Sequence, residues 1–366
     1  MAAEREIEIE RSLLASGFGA AAVASSDVVV PTIDLALGDE AVGKAMMEAA
    51  TTVGFFQVKN HGISQAAIDE AFATAKGFFA RPQAEKESEC AFAAHLNSGY
   101  EHEKQVRPST GTADLKESFQ MTARAGAMDG RWPQQPSNFE GVAKDFLQKA
   151  SDLGKRIMSI LEPQACPSLE PGTLARAHNL WGEDCQTTLR MLHYWGMSQE
   201  TLQRLVDEAA PKTRWRAGPH TDWDCVTLLF QQPGGAGLEC APNPKASGKG
   251  APAAAWLEVP PQEGCIAINI GDMLSLWSSG RLLSNLHRVR LPNMKECAAA
   301  KCRYSIAVFM QADKKALIQP DGCGSITAGD YILSRISSNF SKTQSEGEPP
   351  AKKAKVDDSL KLQRAD

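Results

Sequence analysis

The spacing of apolar and polar positions changes character part-way along the chain. In the first half, "VVVPTIDL" (residues 28–35) predicts a short strand, and "GDEAVGKAMMEAATTVG" carries the helical spacing of apolar residues up to Gly54. "FFQVKNHGI" predicts a strand that runs into a turn at Asn60-His61-Gly62. "SQAAIDEAFATAKGFFA" predicts an amphipathic helix with Ser64 as N-cap. Residues 81–136 show no sustained period and are expected to be irregular, and "NFEGVAKDFLQKASDLGKRIMSILE" predicts a long amphipathic helix. After "CQTTLRMLHYW" the texture becomes short strands between Gly/Pro turns: "HTDWDCVTLLFQ", "GLEC", "AWLEV", "CIAINIGDMLSLW", "LHRVRLP" and "RYSIAVFMQ". Regular short strands of this kind predict a double-sheet β fold such as a jelly roll, and "TAGDYILSRISSNF" predicts a closing helix. The expected organisation is a weakly ordered stretch at 1–27, a mixed helical region at 28–184, a β core with its closing helix at 185–340, and a polar disordered tail at 341–366.

Within this pattern, the run "HTDWDCVTLLFQ" opens with two polar groups that an apolar strand does not need. Side chains two apart on a strand share a face, so a continuous strand would project His220 and Asp222 side by side. A buried carboxylate beside an imidazole needs a partner, and a divalent first-row metal suits both. "SNLHRVRLP" offers His287 as a third ligand. Two histidines and one carboxylate form the facial triad of non-haem iron(II) oxygenases, which leaves three metal positions open. In "RYSIAVFM", Arg303 and Ser305 share parity, and a guanidinium there can grip a carboxylate with two parallel hydrogen bonds.

Composition narrows the alternatives. The 366 residues carry a formal charge of −5, which gives no basic footprint for nucleic acid and no polybasic membrane surface. No run of about twenty apolar residues predicts a membrane span. The opening "MAAEREIEIER" is rich in glutamate, where a targeting leader needs a basic, acid-poor start. Nine cysteines without a CxxC pair fit reduced thiols better than a disulfide framework. The expectation is a monomeric cytoplasmic protein. The "PPAKKAKV" run in the tail, with Lys352, Lys353 and Lys355, is weighed as a nuclear import signal against a plain solvated tail.

Taken together, the segments resemble the iron(II)/2-oxoglutarate-dependent dioxygenases of the isopenicillin N synthase-like superfamily. The resemblance runs from about Val30 to about Phe340 and rests on "VPTIDL", "GFFQVKNHGI", "LRMLHYW", "HTDWDCVTLLFQ", "AINIGD", "LHRV" and "RYSIAVFM", in the family's order. It implies a double-stranded β-helix core with flanking helices. It further implies that His220, Asp222 and His287 bind Fe(2+), and that Arg303 and Ser305 hold the far carboxylate of 2-oxoglutarate. Tyr194 falls on the family's "YP" tyrosine near the co-substrate, with Trp195 where the motif has proline. The implied reaction couples decarboxylation of 2-oxoglutarate by O2, giving succinate and CO2, to hydroxylation, desaturation or ring closure of a small organic substrate. Competing readings are an iron oxidase of the same fold that does not use 2-oxoglutarate, a catalytically silent binding protein, and a modifier of nucleic acid or protein; the acidic balance speaks against a nucleic-acid substrate.

Bland roles outweigh chemical ones elsewhere. His61 reads as a turn residue, His193 as core or as support behind the site, and Asp224 as a structural acid beside the ligands. Tyr100, Phe119, Trp223 and Phe309 are taken as packing residues singly and, as a group, as candidates for lining an aromatic-tolerant substrate pocket.

Overall fold

A computed structural model describes residues 29–106, 112–208, 214–241, 256–297 and 301–340, with side chains to 335. The expectations for residues 1–27 and for the tail, including the basic run at 350–356, lie outside the described residues. Twelve strands make the two main sheets. They are β1 (Thr32–Asp34), β2 (Phe55–Lys59), β3 (Gly99–His102), β4 (Glu117–Thr122), β5 (Thr188–Tyr194), β6 (Ala217–His220), β7 (Val226–Gln231), β8 (Leu238–Cys240), β9 (Leu257–Glu258), β10 (Cys265–Ile270), β11 (His287–Val289) and β12 (Arg303–Met310). The large sheet has eight strands in the order β1-β2-β10-β7-β12-β5-β4-β3, and the small one has four, β6-β11-β8-β9.

Period-2 patterning gives the large sheet two different faces. Its outer face carries Met191, Phe230, Ile268, Ile306 and Val308 and is covered by the helices Gln65–Phe79 and Phe139–Ala165. Rings of Phe78, Phe119 and Phe139 meet there at centroid distances of 4.8–5.3 Å. Its inner face carries Phe55, Leu192, Tyr194, Ala267 and Ala307, which pack against Ala217, Leu238 and Val289 of the small sheet. This inner seam between two sheets is the jelly-roll interior.

The helices at Asp39–Thr52 and Gln65–Phe79 form where the apolar spacing predicts them, and Ser64 Oγ accepts the Ala67 N–H as N-cap. His61 stays in its turn, where its Nδ1 accepts the Ile63 N–H. Three expectations need correction. Residues 81–136 are not uniformly irregular: they contain the helix Gln83–Glu89 and strands β3 and β4, which extend the large sheet beyond β5. Hydrogen bonding to β5, not local periodicity, makes these strands. "CIAINIGDMLSLW" is a strand followed by a helix, Asp272–Trp277, because the chain turns at Gly271. "HTDWDCVTLLFQ" is not one strand. β6 ends at His220 in the small sheet and β7 begins at Val226 in the large one.

Candidate active site

The break at residues 221–225 builds the metal-ligating geometry. Acid-rich Asp-Trp-Asp is poor strand material, and its backbone finds partners outside any ladder. The Gly271, Asp272 and Met273 amides donate to the carbonyls of Cys225, Asp222 and Asp224 at 2.8–3.0 Å. The turn therefore hangs on the start of the helix Asp272–Trp277. His220 is brought to Asp222 by this turn, not by strand parity.

β11 pairs antiparallel with β6, and the register sets His287 opposite His220. Their ring centroids are 4.3 Å apart. His220 Nε2 lies 3.8 Å from Asp222 Oδ1, and His287 Nε2 lies 3.6 Å from Asp222 Oδ2. One ligand atom from each residue falls within 4.8 Å of the other two. Both imidazoles are oriented through Nδ1, which contacts the Gly218 carbonyl at 2.7 Å and the Asn285 carbonyl at 3.2 Å. That arrangement puts the proton on Nδ1 and presents Nε2 as a neutral donor, the form a metal requires. Asp222 Oδ2 accepts from Thr227 Oγ1 at 2.6 Å and from Asn269 Nδ2 at 2.9 Å, so the carboxylate cannot rotate freely. Two neutral imidazoles and one anchored carboxylate, all on one side of a common point, fit an iron(II) ion with three open positions.

Asp224 is fully buried behind this triad. Burial, reinforced by the neighbouring Asp222 charge, pushes its carboxyl well above the usual range. Its Oδ2 lies 2.8 Å from Thr227 Oγ1. Cys225 points into the outer core, away from the ligands.

A second polar group lies further along the inner face of β12. Arg303 is buried, and its Nε, Nη1 and Nη2 donate to Gly235 O at 3.0 Å, Ser305 Oγ at 3.2 Å and Gln231 Oε1 at 3.0 Å. Its guanidinium carbon lies 4.9 Å from the centroid of Tyr194, its cross-strand partner. No carboxylate among the described residues pairs with Arg303. Burial pushes its pKa down, with Tyr194 acting in the opposite direction. A buried, oriented and acid-free guanidinium is built to receive an anion.

Towards the metal end of the same face, Phe309 is half-buried and stands opposite Thr227, the residue that holds Asp222. Arg190 lies over the Phe309 ring at 5.5 Å and donates through Nε to Gln120 Oε1. Trp223 is half-buried beside Asp222, with Arg335 over its ring at 5.6 Å. Tyr100 and Phe119 are placed differently from the sequence expectation. Both are buried on the outer face among Phe78 and Phe139, because β3 and β4 turn these side chains towards the helices. The Tyr100 hydroxyl is committed to Glu117. His193 is also on this outer face, where its Nδ1 contacts Glu117 Oε1 at 2.6 Å and its ring stacks on Tyr304.

Thr227, Asn269, Gln231, Gly235, Arg190 and Gln120 were not singled out by the sequence. The available signal was weak: polar residues at inward parity inside apolar runs, Thr227 in "VTLLFQ" and Asn269 in "CIAINI".

Comparison with known proteins gives the same picture. Residues 191–312 match the model of the 2OG-Fe(II) oxygenase superfamily, and residues 30–139 match the N-terminal model named for the non-haem dioxygenase in morphine synthesis. A UPF0676 protein of Schizosaccharomyces pombe is 30% identical over 323 residues, spanning 85% of this chain and 92% of its own. The chain belongs to the 2OG-Fe(II) oxygenase superfamily. The 2-oxoglutarate-dependent dioxygenase tropC of Talaromyces stipitatus is 28% identical, over 85% of this chain and 95% of its own. A full-length Neurospora crassa protein solved in complex with alpha-KG superposes with a TM-score of 0.69 at 25% identity, over 87% of this chain and 98% of its own. The protein is a 2-oxoglutarate-dependent dioxygenase that uses iron(II) and 2-oxoglutarate, with a jelly-roll core. This family membership favours 2-oxoglutarate use over the alternative oxidase and silent-barrel readings. Among the described residues no helix is long and apolar enough to cross a membrane.

Proposed function

We propose that this dioxygenase oxidises a small, planar organic molecule with hydrogen-bonding edges. His220, Asp222 and His287 would hold the iron, and Arg303, Ser305 and Tyr194 would seat the far carboxylate of 2-oxoglutarate. The observation that carries the assignment is the convergence of the three ligand side chains, each already oriented by its own hydrogen bond. Iron bound there supplies dioxygen activation coupled to decarboxylation of the co-substrate. The protein's own residues do the rest. Asn269 and Thr227 fix Asp222, and Ser305, Gly235 and Gln231 aim the Arg303 fork. Apolar inner-face residues such as Leu192, Ala307 and Val289 limit water between the two ends.

The substrate class rests on the metal end of the inner face. Phe309 offers an aromatic face with the Arg190 guanidinium over it, and Gln120, itself anchored on the Asn97 carbonyl, holds Arg190 in place by accepting from its Nε. Trp223 stands next to a ligand, half-buried, with Arg335 over its ring. The similar Neurospora crassa protein has also been solved with 5-formyluracil, a molecule of this shape, with a TM-score of 0.69 to this chain. The same reading takes the enzyme as a monomer of the cytoplasm; the nine free cysteines fit a reducing compartment. The test is anaerobic loading with iron(II) and 2-oxoglutarate, followed by exposure to O2 with a panel of planar heterocycles and, separately, aliphatic acids. Succinate release stimulated by members of the first group only is the expected result. Stimulation confined to the aliphatic acids would reject the substrate class, and failure to bind iron would reject the triad.

A further inference from the structure

The co-substrate end of the interior holds a second buried cation. Arg216 lies just before β6, with only 4% of its surface exposed. Its Nη2 donates to the carbonyl of Trp195 at 3.0 Å. Its Nε is buried without any hydrogen-bond acceptor. No carboxylate among the described residues forms an ion pair with it. Trp195 directly follows Tyr194, and Tyr194 is the cross-strand partner of Arg303, so the contact with Trp195 ties Arg216 to the end of β5 that pairs with Arg303. Burial, together with repulsion from the nearby Arg303, pushes the Arg216 guanidinium down to about 10. Tyr194, Glu296 and Cys302 act in the opposite direction, and both carboxylate oxygens of Glu296 are already engaged by Arg290.

Two buried guanidiniums that repel each other, with no carboxylate paired to either among the described residues, are unfavourable on their own. Neutral hydrogen bonds to Trp195, Gly235, Ser305 and Gln231 satisfy part of their donor capacity and none of their charge. Arg303 engages one acceptor through each of its three nitrogens, and Tyr194 is a further hydrogen-bonding neighbour; all of these partners are neutral. Buried charge of this kind fits a site whose counter-ion arrives with a ligand. Nothing comparable occurs at the other buried cations near the site: Arg335 pairs with Asp272 and Arg288 with Glu239.

We propose that Arg216 is a second cation for the far carboxylate of 2-oxoglutarate, so that two guanidiniums rather than one select a 2-oxo acid with an anionic far end. The inference rests on Arg303 being the co-substrate arginine. It assigns Arg216 a binding role distinct from that of the metal ligands. A carboxylate on the primary substrate is the other source of the same chemistry, and the experiment separates the two.

The test is calorimetric titration of 2-oxoglutarate, and of 2-oxobutanoate, which lacks the far carboxylate, into the manganese(II)-loaded protein without oxygen. Arg216→Met, Arg216→Lys and Arg303→Leu are compared with the parent. Expected for Arg216→Met is a loss of about 10- to 100-fold for 2-oxoglutarate, the equivalent of one charged hydrogen-bonding partner, with 2-oxobutanoate changed by less than about threefold. Arg216→Lys, which keeps the charge and the size, should fall between the two and guards against a folding defect in the methionine variant. The metal-free methionine variant should melt no lower than the parent, because it loses an unpaired buried charge. Equal effects on both acids, or none on either, would overturn the proposal. So would a defect confined to turnover of carboxylate-bearing substrates with 2-oxoglutarate affinity intact. If Arg303→Leu also fails to discriminate the two acids, the Arg303 assignment itself falls; if it discriminates and Arg216→Met does not, only the second cation is lost.

Discussion

Thr227 and Arg303 show how single side chains divide the work of the site. Thr227 Oγ1 donates to Oδ2 of Asp222 and has Asp224 on its other side. Partners of this kind hold a ligand's orientation, and their removal typically weakens metal binding 10- to 100-fold. Thr227→Val keeps the shape and deletes the hydroxyl. The expected outcome is a loss of that size in manganese(II) affinity, read by equilibrium titration, with little change in 2-oxobutanoate binding once metal is saturating. For Arg303→Leu the expected loss is larger, because the co-substrate's carboxylate would be left buried and short of a partner. At roughly 3–5 kcal/mol for breaking a buried charge pair, 2-oxoglutarate affinity should fall by about two to four orders of magnitude. The concentration dependence of succinate formation measures it, and a parental dependence would remove Arg303 from the co-substrate site. His220, Asp222, His287, Arg303 and Ser305 stand out as candidates in the sequence because they lie in short motifs in a recognisable order, and the structure brings the first three together. Thr227, Asn269 and Gln231 do not, because their roles depend on which residues stand opposite across the sheet, and spacing along one strand does not carry that register.

Among the elements, the turn at residues 221–225 and the helix Asp272–Trp277 act as one unit. Three amides of Gly271, Asp272 and Met273 hold three carbonyls of the ligand turn. Gly271 permits this approach: a Cβ there would stand 2.1 Å from Asp224 Oδ1 and 2.2 Å from its backbone oxygen. Its φ of −94° is open to any residue, so proximity, not backbone conformation, requires glycine. Gly271→Ala should push the turn off the helix. The expected result is weaker metal binding together with a lower melting temperature, whereas Thr227→Val should change the first far more than the second. An alanine variant with parental metal affinity would show that the turn keeps its place without these three bonds. The alternation of "HTDWDCVTLLFQ" suggested one strand and a parity argument that placed the right two residues together for the wrong reason. A run of acids after His220 was the local sign that the strand stops. The strands at 99–102 and 117–122 left no comparable sign, since their patterning is set by β5 and the helices above it.

At the scale of the molecule, the triad lies where the two sheets meet. His220 and His287 belong to the small sheet, and Asp222 is tied through Thr227 and Asn269 to β7 and β10 of the large one. A metal bound by all three would therefore staple one sheet to the other. Ligands that bind only the folded state stabilise it by mass action, about 2.7 kcal/mol at a free concentration one hundred times the dissociation constant. For a fold of this size that corresponds to a rise of roughly 5 °C in melting temperature. The rise should appear when manganese(II) is added without oxygen and disappear on chelation. Asp222→Ala removes the one ligand anchored to the large sheet and leaves both histidines in the small one. Its metal-free melting temperature should fall only by the modest amount expected from leaving the Thr227 and Asn269 donors without their acceptor, while most of the metal-dependent rise should be lost. A variant that still gains the full rise would show that the two histidines bind the ion unaided and that Asp222 does not couple the sheets through it.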